Sequence, residues 1–229
     1  MNWREYWNQD TPIYAGEQHK VLHYMLIADD IARLIPTAQA MVLDHGCGEA
    51  LSADRVAARC ARLYLCDAAP LVRERLRGRF GEEPRIVVIA PEDLDVVPER
   101  SLDLVVVNSL TQYLSLEELR SLLASWRAKL KPQGMLVLAD VIPPEVSPLT
   151  DARALLSFAW QGGFLTRALV GLVRTALSDY RKIRDELGLA QYSEAETLEL
   201  LRDAGFAARR RRPNMGHNQA RMMFIATPV

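Results

Sequence analysis

The chain has 229 residues, of which 49% are apolar and 25% are charged, and its formal net charge is −1 at pH 7. These values are typical of a single globular domain that buries a hydrophobic core. They argue against a nucleic-acid partner, because a surface that binds phosphates by charge is strongly basic.

The first 140 residues are predicted to alternate between helices and strands. Apolar residues recur at helical spacing from Glu17 to Ile35, and Pro36 ends this first helix. Ser52 is predicted to cap a second helix, and Ser115 and Glu118 form the capping box of another. Short apolar runs predict strands at 41–43, 63–66, 86–89, 102–107 and 135–139, with a further helix over about 70–80. Continuous apolar strands of this kind indicate a parallel sheet covered by helices on both faces.

The C-terminal part follows a different pattern. A capped helix is predicted over 193–204, and strands are predicted at 206–211 and 221–227. The nine residues between these strands are too few for a helical crossover, so the pair is expected to be antiparallel. The predicted fold is therefore α/β, a doubly wound and mostly parallel sheet of seven strands with an antiparallel C-terminal strand pair.

Polar residues stand at the ends of four predicted strands, and these ends share one edge of a doubly wound sheet. They are Asp44, Asp67, Asn108 and Asp140. Ligands bind at this edge, at the point where the strand order switches. The turn from Gly46 to Gly48 lets the backbone approach a ligand, since a side chain there would occupy the ligand's space. An acid at the end of the second strand is placed to bind ribose hydroxyls, which indicates an adenosine-containing cofactor.

The residues after the glycine turn distinguish between two classes of cofactor. The dinucleotide fingerprint requires a small residue at the position of Leu51, which is bulky. Glu49 would place a negative charge where a pyrophosphate should lie. A cationic sulfonium with an amino-acid tail fits better, so an NAD-type oxidoreductase is the less favoured alternative.

Residues 42–50 have the sequence V-L-D-H-G-C-G-E-A, which resembles the first motif of class I S-adenosylmethionine-dependent methyltransferases of the type 11-like group. Asp67, residues 102–114 and residues 130–136 are similar to three further segments of that family, in the same order. The resemblance implies a Rossmann-like fold, methyl transfer, and S-adenosyl-L-methionine as cofactor. It implies a set of cofactor-binding residues, namely Asp44, Gly46, Cys47, Gly48, Asp67, Ala68, Glu92, Asp93, Asn108 and Ser109.

Two positions depart from the family pattern. Ala50 stands where the family has its last motif glycine, at which a small residue is required. The family commonly has an acid and a backbone N–H for adenine just after the third strand, where this chain has Ala90 and Pro91. Because proline has no N–H, Glu92 or Asp93 is expected to bind the adenine amino group instead.

Two residues are predicted as catalytic candidates. His19 lies in the N-terminal segment 1–38, which is expected to cap the cofactor-binding core at 40–141, and a surface role is its alternative. Tyr113 follows the fourth strand beside the expected methyl group, and packing in the core is its alternative.

Segment 143–192 is predicted as a helical lid, followed by the C-terminal helix and strand pair at 193–229. The segment is rich in leucine and aromatic residues, which favours a small-molecule acceptor with an apolar, lipid-like or aromatic body. Simple packing on the sheet is the alternative. Its basic residues, such as Arg167, also suit weak contact with a membrane surface.

Three cysteines and four histidines lack the spacing of a disulfide framework or a zinc site, so no metal is expected and a cytoplasmic location is predicted. The function predicted from the sequence is methyl transfer to a small, partly apolar acceptor by in-line displacement. A non-catalytic or regulatory protein that binds S-adenosylmethionine is the second alternative.

Overall fold

A seven-stranded sheet forms the centre of the computed structural model, which describes residues 3–8, 14–176 and 188–229. The strands are β1 (Met41–His45), β2 (Arg62–Cys66), β3 (Ile86–Ile89), β4 (Leu102–Asn108), β5 (Leu130–Val141), β6 (Phe206–Arg211) and β7 (Met222–Pro228). Their order in the sheet is β3-β2-β1-β4-β5-β7-β6. Strands β1 to β5 are parallel, and β7 runs antiparallel to both β5 and β6. The predicted α/β fold and its antiparallel strand pair are confirmed.

Eight helices of the described part surround the sheet or cover its edge. They are α1 (Trp3–Trp7), α2 (Glu17–Leu34), α3 (Ala53–Ala57), α4 (Pro70–Phe80), α5 (Leu116–Lys129), α6 (Pro148–Gln161), α7 (Leu165–Ala176) and α8 (Glu194–Asp203). Short 3-10 turns follow β3 and β4, at Pro91–Val96 and Thr111–Tyr113.

The predicted start of α5 is confirmed, because Ser115 and Glu118 form the complete capping box. The predicted cap of α3 is wrong, since Ser52 stands at the N-cap position but its side chain makes no capping hydrogen bond. Strand β5 begins at Leu130, five residues before the predicted Met135, because Leu130 pairs with Leu102 at the start of β4.

The central strands are buried on both faces, as their continuous apolar sequences predict. On one face, Val42, Leu104 and Val106 pack in a core formed with α2, α3 and α4. On the other face, Leu43 and Val105 pack in a core formed with α5 and α8. Because both faces are covered, the exposed edge at the carboxyl ends of the strands is where a ligand can reach the sheet.

A buried hydrogen bond joins the end of β1 to α5. Trp126 Nε1 donates to His45 Nδ1 at 3.0 Å, and both side chains are buried. Burial lowers the pKa of His45 to about 4, so the imidazole is neutral at pH 7 and can accept this bond. His45 therefore positions β1 on α5.

Replacing Trp126 with phenylalanine is expected to lower the free energy of unfolding by roughly 1–3 kcal/mol, because a buried acceptor on His45 loses its donor. Urea unfolding measures this difference. Trp160, which is 74% exposed, provides the matched control, and Trp160→Phe should change stability by less than about 0.5 kcal/mol. Equal stability of the Trp126→Phe variant and the unmodified protein would contradict the structural role of this bond.

Helices α6 and α7 form the described part of the predicted lid, whose residues 177–187 lie outside the described ranges. These helices pack on the beginning of α2 through a cluster around Ala159, Phe164 and Ala168. Five of their large apolar side chains are exposed: Leu149, Trp160, Leu169, Val170 and Val173. Within the part of the chain that the structure describes, no helix combines the length and apolar character needed to cross a membrane.

Candidate active site

The four polar strand ends meet at one edge of the sheet. Asp44 lies one residue before the end of β1, and Asp67 directly follows the neighbouring strand β2. Asn108 is the last residue of β4, and Asp140 lies one residue before the end of the neighbouring strand β5. Strands β1 and β4 are adjacent, although β2 and β3 lie between them in the sequence. The order of the strands therefore switches between β1 and β4, where α/β sheets bind their ligands.

The glycine turn wraps around the end of β2. The N–H groups of Gly46 and Cys47 both donate to the carbonyl of Cys66, at 2.8 and 3.1 Å. Gly46 and Gly48 have φ values of 78° and 57°, in the left-handed region that favours glycine. The Cys47 side chain is buried in the core below the turn.

Asp67 connects this turn to the one that follows β2. Its Oδ2 accepts a bond from the Gly48 N–H at 2.9 Å, and its Oδ1 accepts one from the Ala69 N–H at 2.8 Å. Nη1 of Arg73 donates to the carbonyls of Asp67 and Ala68, at 2.8 Å each. Each carboxylate oxygen still has a free lone pair for a ligand hydroxyl. The Asp67 carboxylate is thus held in a fixed position and can still accept hydrogen bonds from a ligand.

Glycine is required in this turn by the protein's own packing. A Cβ atom on Gly48 would lie 2.7 Å from Tyr24 Oη, which accepts a hydrogen bond from the Glu49 N–H. A Cβ atom on Gly46 would meet the Leu110 side chain at 3.0 Å. The expectation that a side chain here would only fill ligand space is therefore corrected, because it would first clash with neighbouring residues.

Replacing Gly48 with alanine is expected to destabilise the protein by about 1–2 kcal/mol, because alanine disfavours the left-handed conformation. The contact with Tyr24 Oη adds to this cost. The same substitution should cost less in a Tyr24→Phe background, where the hydroxyl is absent, and a double-mutant cycle of unfolding free energies measures the difference. An identical cost in both backgrounds would show that Tyr24 does not restrict this position.

Asp44 presents a buried carboxylate that has no hydrogen-bond partner among the described residues. It is 8% exposed, and no hydrogen-bond donor from the described residues reaches it. Burial raises the pKa of Asp44 to about 7, and the negative charge of Asp67 adds to the shift. Because an unpaired buried carboxylate is costly, its presence at the ligand edge indicates a positively charged or N–H-bearing ligand group.

Helix α1 covers part of this edge. The rings of Trp3 and Trp7 pack on the Tyr113 ring, with centroids 4.7 and 5.5 Å away. Asn8 Oδ1 accepts a hydrogen bond from the Leu71 N–H at the start of α4, at 3.0 Å. These contacts place the N-terminal helix between the turn after β4 and the first turn of α4.

A cavity of about 240 Å³ lies beside the ends of β4 and β5. Its apolar wall is formed by Trp7, Ile27, Tyr113 and Met215. Its polar wall includes His23, Asn108, Ser109, Asp140, Asp151, His217 and Arg221. The cavity is thus lined both by apolar side chains and by a dense group of charged and hydrogen-bonding side chains.

Arg221 bridges the two carboxylates of the polar wall. It donates from Nη1 to Asp140 Oδ2 at 3.2 Å and from Nη2 to Asp151 Oδ2 at 2.9 Å. Ser109 Oγ donates to the same Asp140 oxygen at 2.7 Å. Ser109 and Asp140 both have positive φ values, 55° and 60°, although neither is glycine. Such conformations cost free energy and are concentrated at functional sites.

No sequence motif indicated Arg221 or Asp151 as site residues. Arg221 stands at the start of a predicted strand, and Asp151 lies in the predicted lid, more than a hundred residues from the glycine turn. Asp151 is the one described residue of segment 143–192 that lines the cavity. Phe158 and Phe164 of that segment pack against His19 of α2, and the lid role of the segment stays a prediction.

The two catalytic candidates lie in different surroundings. Tyr113 lines the cavity. His19 does not, since its ring stacks on Phe164 at a centroid distance of 5.1 Å and its Nδ1 accepts a bond from the Ala15 N–H. The structure brings His23 and His217 to the cavity instead. Burial lowers the pKa of these two to about 3 and about 4, so both are neutral at pH 7.

The remaining predicted cofactor residues lie at the same edge. Ala68 is exposed next to Asp67, and Glu92 and Asp93 are exposed in the turn that follows β3. Their proposed contacts, like the catalytic role of His19, stay predictions. In the described ranges, no group of three or more His, Cys, Asp or Glu side chains is arranged to hold a metal ion.

Comparison with known proteins agrees with this arrangement. A protein family described as "Methyltransferase domain" matches residues 43–138, which run from the end of β1 to β5. The match covers 96 of the 229 residues. Uncharacterized methyltransferases of Mycobacterium bovis and Mycobacterium tuberculosis are 27% identical to this chain over 125 residues, which are 55% of its length. That stretch spans 61% of the relatives' own length.

Solved structures of methyltransferases share the fold. A chain of the Haloferax volcanii complex between the Trm112 methyltransferase activator and its methyltransferase has a TM-score of 0.63 and 16% identity, covering 100% of this chain and 99% of that one. Magnesium protoporphyrin IX methyltransferase of Synechocystis, with bound S-adenosylhomocysteine, has a TM-score of 0.58 and 17% identity, covering 93% and 86%. At these identities the likeness concerns the fold.

Proposed function

We propose that this chain is an S-adenosylmethionine-dependent methyltransferase that acts on a small, partly apolar acceptor. The observation that carries the proposal is the pair of carboxylates around the glycine turn, Asp44 and Asp67, at the switch point of the sheet. The similarity of residues 43–138 to the methyltransferase domain supports the same reaction.

The chemistry of this pair fits the proposed cofactor. Asp67 is held by two backbone N–H groups with accepting capacity left for two ribose hydroxyls. Asp44 lacks a partner in the described part and would pair with the positively charged amino-acid end. Bound S-adenosylmethionine supplies an activated methyl group, and the protein contributes orientation and water exclusion.

The cavity at the ends of β4 and β5 is the proposed acceptor site. Its apolar wall, with Trp7 and Tyr113, suits an apolar body, and its polar wall suits the group that receives the methyl. The packing of α1 over the edge would keep water from the reacting atoms. Holding the acceptor in line with the methyl group can supply as much as ~7–11 kcal/mol of barrier reduction.

Calorimetric titration with S-adenosylhomocysteine and, separately, with NAD tests the cofactor assignment. We expect binding of S-adenosylhomocysteine and none of NAD. Binding of NAD alone would favour the oxidoreductase alternative. Binding of S-adenosylhomocysteine without methyl transfer to any acceptor in a broad panel would favour a non-catalytic protein.

Two further expectations have partial support. The three cysteines are free and buried, which suits the reducing, cytoplasmic location that we propose. The exposed side chains of Leu169, Val170 and Val173 on α7 suit weak contact with a membrane surface or with a lipid-like acceptor.

A further inference from the structure

One hydrogen-bond acceptor in the cavity lacks a donor from the described residues. Asn108 Oδ1 is buried and has no hydrogen-bond partner among them. Asn108 pairs with Ala139 in the sheet, so Asn108 and Asp140 lie at the same end of neighbouring strands. The Asp140 carboxylate receives bonds from Ser109 and Arg221 on Oδ2 and is also stabilised by the Asn214 side chain. A ligand that donates a hydrogen bond would satisfy Asn108 Oδ1 and lie beside the Asp140 carboxylate.

The charge of the cavity also indicates the kind of ligand. Two carboxylates, Asp140 and Asp151, face one guanidinium, Arg221, so the lining carries one excess negative charge when both acids are ionised. The two lining histidines are neutral and do not offset it. Arg221 is already engaged through Nε, Nη1 and Nη2. A carboxylate or phosphate ligand would be repelled, whereas an ammonium group would be attracted.

The apolar wall strengthens this preference. Trp7 and Tyr113 line the same cavity as the acids, and aromatic faces attract cations. The buried Trp7 Nε1 has no acceptor in the described part and suits an oxygen elsewhere on the ligand.

We propose, on the basis of the methyltransferase function proposed above, that the acceptor is a small amine whose nitrogen lies against Asp140 and Asn108. In the reaction, the ammonium form transfers one proton to the Asp140 carboxylate, which leaves a neutral amine and a carboxylic acid. The nitrogen lone pair then forms the N–CH3 bond while the S–CH3 bond breaks, and the sulfur leaves as a neutral thioether.

The carboxyl groups beside the nitrogen have different roles during methyl transfer. The charge moves from the sulfonium to the methylated nitrogen, which lies beside the still ionised Asp151, while the protonated Asp140 is the group that has taken up the amine proton. Burial raises the pKa of Asp140 above its usual range, although Arg221 and Ser109 act in the opposite direction. A raised pKa makes its carboxylate a better proton acceptor.

Matched acceptors test the proposal. Benzylamine, benzyl alcohol and benzoate share one body, and 2-phenylethylamine, 2-phenylethanol and phenylacetate share another. Methyl transfer from methyl-labelled S-adenosylmethionine is measured for each, with S-adenosylhomocysteine binding measured by calorimetry in parallel. We expect each amine to react at least tenfold faster than its alcohol and carboxylate. A faster alcohol or carboxylate, or no reaction of either amine, would overturn the proposal.

Two variants locate the effect within the cavity. Asp140→Asn keeps the size of the side chain but removes its proton-accepting carboxylate, so the amine rate should fall at least about a hundredfold. Asp151→Asn removes the same charge from a residue whose oxygens already serve Arg221 and Asn218, so the loss should be smaller. Equal losses, or an unchanged rate in Asp140→Asn, would contradict the role of Asp140.

Cofactor binding keeps the two proposals separable. We expect both variants to bind S-adenosylhomocysteine as tightly as the unmodified protein does, which also reports that they are folded. Failure of the unmodified protein to bind it would overturn the proposed function itself. Binding without any preference for amines would overturn only the acceptor assignment.

Discussion

Replacing Asp67 with alanine is expected to weaken S-adenosylhomocysteine binding at least a hundredfold. Each charge-assisted bond between its carboxylate and a ribose hydroxyl should contribute about 1.5–3 kcal/mol, and tenfold in affinity corresponds to about 1.4 kcal/mol. The variant also loses the acceptors for the Gly48 and Ala69 N–H groups, so the two turns lose their common anchor. Calorimetric titration measures the change.

Asp103→Ala is the matched control for this substitution. Asp103 also accepts a backbone bond, from the Met41 N–H, and pairs with Lys131, but it lies at the opposite end of the strands. The Asp103 variant should bind S-adenosylhomocysteine normally, even if its unfolding free energy is lower. Unchanged affinity in a folded Asp67→Ala variant would contradict the assignment of the ribose site.

Binding of S-adenosylhomocysteine is expected to weaken about tenfold between pH 8 and pH 6. The pKa of Asp44 is raised to about 7, so its carboxyl group is mostly ionised at pH 8 and mostly protonated at pH 6. Only the ionised form attracts the ammonium group of the ligand, so affinity is lost as the pH falls through the pKa. His23 and His217, with pKa values lowered to about 3 and about 4, do not change charge in this window.

An Asp44→Asn variant separates this residue from other titrating groups. It should bind weakly at every pH, near the level of the unmodified protein at pH 6, and its pH dependence should be nearly flat. Titrations at pH 6, 7 and 8 test this. A variant that keeps the full pH dependence would show that another acid, such as Asp140, is responsible.

The fold and the cofactor edge could be predicted because local patterns encode them. The strand that carries Asp44 and the capping box of Ser115 and Glu118 each depend on neighbouring residues. The ribose-binding role was predicted for Asp67 from its position directly after β2. Each of these features can be recognised within a single short segment of the sequence.

The acceptor cavity could not be predicted in the same way, because it is assembled from distant segments. Asp140 and Arg221 are 81 positions apart, and the pairing of β5 with β7 brings them together. The apolar content of α6 and α7 suggested a lid over the acceptor, yet sequence alone does not say which element they contact. In the described part, Phe164 and its neighbours pack on α2. Asp151 is the described residue of α6 and α7 that lines the cavity.

A crystal structure of the protein with S-adenosylhomocysteine tests the central claim most directly. We expect both ribose hydroxyls within hydrogen-bonding distance of the Asp67 carboxylate, and the ligand amino group near Asp44. The sulfur should face the cavity lined by Asn108, Tyr113 and Asp140. A ligand bound elsewhere on the protein, or one whose ribose lies away from Asp67, would contradict the assignment of this edge as the cofactor site.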